Sequence, residues 1–114
     1  MKLVKVKTAD LIGAQLDWAV GTAAGCDGLW MWTADDGSRH CQHNIGGPFS
    51  PSSNWRDGGP IIERERIDLT WRPSEGWVAW DADMRCPKKG PTPLVAAMRA
   101  YVTSKLGDEV EAPA

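Results

Sequence analysis

Two tight-turn signals divide the middle of this chain into antiparallel strand pairs. Asp36-Gly37 separates the apolar run LWMWT (residues 29–33) from residues 39–44, and Pro73-Ser74-Glu75-Gly76 separates residues 67–72 from residues 76–82. An Asp-Gly pair between such runs is a strong hairpin signal, because both central positions of a two-residue turn take positive φ. In the second pair Ile67, Leu69 and Trp71 fall on one face and Asp68, Thr70 and Arg72 on the other, the alternation of a strand with one buried side.

Helical spacing flanks the hairpins. Residues 2–7 alternate charge with Leu3, Val4 and Val6 and read as a short strand. Thr8 is then placed to cap a helix over residues 9–24. Its expected buried face is Ile12, Leu16, Ala19, Val20 and Ala23, widened by Leu11 and Trp18. Asp10, Gly13 and Asp17 are expected on its wet side, and Gly25, with Asp27 and Gly28, ends it. Near the other end Thr92 caps a second helix with Pro93 in its first position. Leu94, Met98, Tyr101, Val102 and Leu106 line its buried face, and Gly107 stops it. Residues 83–91 read as a polar loop. The order is strand, helix, hairpin, long loop, hairpin, helix. That order predicts an α+β domain: a small antiparallel sheet built from hairpins, with an N-terminal and a C-terminal helix packed on it. Residues 1–107 form one domain, and residues 108–114 are expected to be a short, frayed acidic tail.

Composition narrows the function classes. A chain of 114 residues suits one domain rather than two. With 13 basic against 15 acidic residues and a net charge of -2, it lacks the clustered cations that grip duplex nucleic acid. A small anionic ligand needs only a few cations or a helix N-terminus and stays open. No apolar run approaches the ~20 residues of a membrane span, and the first residues carry no apolar stretch of signal-peptide length. The three cysteines are an odd set. A cytosolic protein with reduced thiols is expected. Seven tryptophans stand beside one Tyr and one Phe. Most are expected in the core, since aromatics dominate small cores; the sharper reading is a stacking surface for a flat ligand.

Residues 49–66, FSPSSNWRDGGPIIERER, hold the densest chemistry. Gly58 and Gly59 make such a segment costly in entropy to order, and an ordered loop usually positions something. Pro60 is placed to open a short helix over residues 61–65. RDGGP ahead of that helix offers backbone N–H groups to an anion, although the P-loop pattern and its Lys are absent. Glu63 and Glu65 alternate with Arg64 and Arg66; the bland reading is a solvated ladder, the sharper one that a Glu and an Arg turn inward. Ser50, Ser52 and Ser53 lie among prolines, outside any nucleophile turn, and suit turn formation and hydrogen bonding. His40, Cys41 and His43, with Cys26 and Cys86, are the candidate metal ligands, but HCQH lacks the paired spacing of structural zinc sites. No metal or other cofactor is expected.

The chain resembles the phage NinX family, small phage and prophage proteins of unassigned function. The resemblance rests on FSPSSNWRDGGPIIERERI (residues 49–67), GPTPLVAAMRAYVTSKLGDEVEAP (residues 90–113) and LDWAVG (residues 16–21). It covers about half of the chain. The family pattern favours an Asp before the loop tryptophan where this chain has Asn54. The resemblance implies expression in the cytoplasm of an infected bacterium and brings no catalytic residue.

Together these readings give an expected function: a non-enzymatic, phage-encoded protein that binds a nucleotide-like ligand and sequesters a host defence signal. Trp55 stacks on the base, with Phe49 nearby. Gly58 and Gly59 let the backbone approach. Ser52, Ser53 and Asn54 bond the ribose or phosphates, and Ser50 is a further ligand-binding residue. Glu63 anchors, and Arg66 or Arg99 neutralises charge. A homo-oligomer is expected, since shared sites are common and two-fold dimers are the commonest oligomers. The alternative is an adaptor or inhibitor acting on a host or phage replication or recombination protein, with Trp55 as its anchor.

Overall fold

A computed structural model describes residues 2–26, 28–43, 47–85 and 87–114. In chain order the elements are β1 (Leu3–Lys7), a 3-10 turn (Thr8–Asp10), α1 (Gly13–Ala23), β2 (Trp30–Thr33), β3 (Arg39–Gln42), α2 (Trp55–Glu65), β4 (Asp68–Arg72), β5 (Gly76–Trp80), β6 (Lys88–Gly90), α3 (Pro93–Leu106) and β7 (Glu109–Pro113). The α+β class expected from the sequence is the one observed. The strands, all paired antiparallel, form three small sheets rather than one: β1-β7, β2-β3 and β4-β5-β6.

α3 is the centre. Thr92 caps it by accepting the Val95 N–H at 3.1 Å, and Pro93 opens it. Nine of its residues are buried, among them Ala96, Ala97, Met98, Ala100, Tyr101 and Val102. A helix buried on nearly every side is a core element rather than an amphipathic surface one. Leu106, expected on the buried face, is exposed at the helix end. The three alanines keep the α3 surface low, so backbone approaches closely. A Cβ on Gly90 of β6 would lie 2.9 Å from the Ala96 Cα.

That small-residue core leaves little room for indoles. Trp30, Trp32, Trp55 and Trp71 are exposed, and Trp18, Trp77 and Trp80 are half-buried. The expectation of a tryptophan core is therefore wrong: leucine, valine, methionine, tyrosine and alanine fill the interior.

The acidic tail is a strand. β7 pairs with β1 in the register Lys5↔Glu111 and Lys7↔Glu109, which sets opposite charges directly across from each other. Val110, Ala112 and Pro113 are buried. Thr8 secures this joint. Its N–H donates to the Asp108 carbonyl at 2.8 Å and its hydroxyl to the Gly107 carbonyl at 2.7 Å. Thr8 thus caps no helix; α1 starts later, at Gly13, after Ile12 in extended conformation and with no side-chain cap. Gly25, at φ +76°, closes α1 as expected, with the Cys26 N–H donating to the Gly21 carbonyl at 2.9 Å. Asp27 lies outside the described residues.

Both hairpins form. The β2-β3 turn differs in detail: Gly37 has φ +87° while Asp36 does not enter the left-handed region, and the Gly37 N–H donates to the Ala34 carbonyl at 2.9 Å. The longer turn needs only one left-handed residue. Asn44 lies outside the described residues. β6 arises inside the stretch read as loop. Lys88–Gly90 is short and carries no alternating apolar pattern, so nothing marked it as a strand.

The largest local correction concerns residues 54–65. Trp55–Glu65 form an eleven-residue helix with Gly58, Gly59 and Pro60 inside it. Asn54 caps it, its side chain accepting the Arg56 N–H at 2.9 Å, and Asp57 sits in the first turn. Arg66 ends it in the left-handed conformation, φ 56° and ψ 45°, and the Ile67 N–H donates to the Ile62 carbonyl at 3.1 Å. This is the closing arrangement for which glycine is the usual residue. Arg66→Gly is expected to raise stability by up to about 1 kcal/mol, measured as a higher urea midpoint at unchanged slope.

Candidate functional site

The segment between β3 and α2 is held from two sides by carboxylates. Asp57 of α2 accepts the Ser50 N–H at 2.9 Å, and Asp17 of α1 accepts the Ser52 N–H at 2.8 Å. The Ser53 and Asn54 N–H groups close a turn onto the Ser50 carbonyl at 3.1 and 2.8 Å. The backbone donors of the Pro-Ser-Ser stretch are thus paired, which holds it in place against α1 and α2. Phe49 is buried and lies against His43, ring centroids 4.6 Å apart.

This segment walls a part-open cavity of about 690 Å³. The first turns of α1, α2 and α3 all border it, through Gly13 and Ala14, Trp55, and Pro93 and Leu94. Helix N-termini carry partial positive charge. Ser50, Ser52 and Ser53 line the same space, as do Arg39, His40 and Cys41 of β3. Trp55, 54% exposed, stands on its edge.

Asp17 is the unexpected member. The helical pattern put it on the wet face, yet it is only 5% exposed, while Ile12, expected to be buried, is 55% exposed. Both follow from the late helix start and from the 49–54 segment lying over α1. Burial, the largest cause, pushes the Asp17 carboxyl up from 3.8 to about 6; the Ser52 hydroxyl and N–H oppose this and Asp57 adds to it. One sequence signal exists for this. Gly13, Asp17 and Gly21 recur every four residues, so small neighbours flank Asp17 on its helix face. Below it, burial first, then Asp17, pushes the Cys41 thiol up to about 12, the condition of an inert structural thiol.

The remaining sequence candidates distribute as follows. Phe49 is interior. Asn54 caps α2. Gly58 accommodates the chain's own Pro51 carbonyl and the Leu94 side chain. Gly59 faces the Trp55 ring, with 3.9 Å between its would-be Cβ and Cε3. Glu63 and Arg66 are exposed and lie outside the residues bordering the cavity. The acid that turns inward is Glu65: it meets Arg64 at 3.0 Å and Lys105 of α3 at 3.1 Å, and these contacts, Arg64 first, hold its pKa down. Arg99 is committed to backbone, donating from Nε to the Leu11 carbonyl at 2.8 Å and from Nη1 to the Lys89 carbonyl at 2.9 Å. Its role is to clamp β6 and the segment just before α1 onto α3. Arg39 is the cation that borders the cavity; it sits on a short hairpin strand with no feature to single it out.

His40 stacks on Trp32, centroids 4.6 Å apart, and bonds the Ser38 hydroxyl at 2.9 Å. Among the described residues no three His, Cys, Asp or Glu side chains converge as a metal site requires; Cys86 lies outside them. Among them, too, no helix is long and apolar enough to cross a membrane.

The fold and site thus define a small α+β domain whose helix N-termini and serine turn surround one hollow with an indole at its edge. The chain belongs to the bacteriophage P22 NinX family, whose model matches residues 7–105. The match spans α1, the serine turn, α2 and α3 up to Lys105; most of the β1-β7 pair lies beyond it. No curated protein matches the chain.

Proposed function

We propose that this phage-family protein binds a small, flat, anionic ligand of nucleotide type in the 690 Å³ cavity and acts, without catalysis, by sequestering a host nucleotide signal in the infected cell. The observation that carries this reading is the exposed Trp55 indole beside a hollow bordered by three helix N-termini. An indole stacks on any base face. The partial positive charge of helix N-termini and the Arg39 guanidinium favour phosphate. The volume falls within the range of small-molecule pockets.

Trp55→Ala tests it. The side chain is exposed, so stability should stay within about 0.5 kcal/mol. Affinity for a bound mononucleotide should fall by about 10-fold or more, since stacking on an aromatic is worth ~1–3 kcal/mol. The measurement is calorimetric titration of protein refolded free of ligand. Absence of heat or thermal shift across linear and cyclic nucleotides would remove the reading.

An adaptor role has one observation of its own. Trp71 is 58% exposed and packs edge-on against Trp77, centroids 5.6 Å apart, on β4-β5 away from the cavity. Exposed indoles are common interface anchors. Loss of a host-protein pull-down with Trp71→Ala but not with Trp55→Ala would favour that role.

A further inference from the structure

Resting on the nucleotide reading, we propose that Asp17 makes the cavity selective for guanine, the base that presents a ring N–H and an exocyclic amino group side by side. An ionised carboxylate is acceptor-only, with about four lone-pair sites on its two oxygens. The Ser52 N–H occupies one site on Oδ1, and the Ser52 hydroxyl gives further support. Acceptor capacity remains on Asp17, a residue that borders the cavity.

Burying such a group without full hydrogen bonding is costly, and its raised pKa records that cost. A ligand with two parallel N–H donors would meet the carboxylate in the geometry that a guanidinium uses. Guanine offers that pair. Adenine and cytosine set an amino group beside an acceptor, which faces a carboxylate unfavourably. Uracil sets its N–H between two carbonyls. Stacking on Trp55 is indifferent to base identity, so the choice among bases falls to a polar group inside the cavity. Asp17 is the acidic side chain among the residues bordering it.

The groups around Asp17 sharpen the pH behaviour. Asp57 of α2 raises its pKa. Arg39, His40 and Cys41 of β3 border the same space, and α3 with its cap contributes Thr92–Val95, none ionisable. β7, also packed on α1, carries Glu109 and Glu111, both exposed. Protonation converts Asp17 into a donor on one oxygen, which suits adenine rather than guanine.

The test is calorimetric titration of ligand-free protein with guanosine, inosine and adenosine monophosphates. Inosine lacks only the exocyclic amino group. Wild type should bind the guanosine compound about 10-fold or more tighter than the inosine compound, because a site built for a donor penalises its absence. The ratio, in which phosphate titration cancels, should shrink as pH falls through about 6. Asp17→Asn, which keeps the acceptor for Ser52, should bring the two within about 3-fold. Equal affinities in wild type, or tighter binding of the adenosine compound at neutral pH, overturn the selectivity and leave the nucleotide reading standing. No binding of any of the three overturns the selectivity, and absence of heat with the cyclic nucleotides as well overturns both. Should Asp17→Asn fail to fold, the inosine comparison and the pH dependence in wild type decide the matter.

Discussion

Gly58→Ala is expected to destabilise the protein by about 2–3 kcal/mol, while Gly59→Ala, one residue on, is expected to stabilise it by up to about 1 kcal/mol. Both glycines lie within α2, where alanine is intrinsically the better helix former. At Gly58 packing reverses that preference. A Cβ there would collide with the Pro51 carbonyl and lie 2.6 Å from the Leu94 Cδ2. The carbonyl cannot retreat, because Asp17 and Asp57 hold the Ser50–Ser52 backbone from both sides. At Gly59 the added methyl would make ordinary contact with Trp55. Urea unfolding of the two variants gives the sign directly, and a shared sign would refute this account of the α2–serine turn joint. Gly58→Ala should also weaken ligand binding, since it displaces the cavity wall.

Asp17→Asn is expected to stabilise the fold at neutral pH by as much as about 3 kcal/mol, with the advantage gone below about pH 4. The shift from 3.8 to about 6 means that the folded state holds a proton which the unfolded chain has released. Between those values the native protein binds more protons, so wild-type stability falls as pH rises through the window. Two units at 1.36 kcal/mol each give the ceiling. Asparagine keeps the acceptor for the Ser52 N–H and carries no charge to desolvate. Its stability profile should therefore be flatter across about pH 4 to 6. Parallel profiles for wild type and variant would show that Asp17 is not buried in solution. A stabilising substitution at a buried acid is what a site kept for ligand rather than for stability produces.

Much of the scaffold was legible because it rests on local chemistry. Thr92-Pro93 opens α3, Gly25 closes α1, and two turn signals generate the β2-β3 and β4-β5 hairpins. Such signals act over a few residues and survive in any tertiary context. The α2 start was missed because Gly58-Gly59-Pro60 argues against helix locally; Asn54 and packing on α3 override it. The acidic terminal segment was missed because its partner strand lies a hundred residues away. The Glu109/Lys7 and Glu111/Lys5 pairing appears only once the register is known.

The candidate site divides the same way. Read along the chain, residues 49–55 are a polar and aromatic segment, and Trp55 and the serines lie together because they are close neighbours in it. That Asp17 and Arg39 join them, and that Arg66 and Arg99 do not, follows from how distant elements pack. The reason is distance along the chain. Asp17 reaches Ser52 across thirty-five residues, and a helical pattern reports which face is apolar, not which segment will come to lie across it.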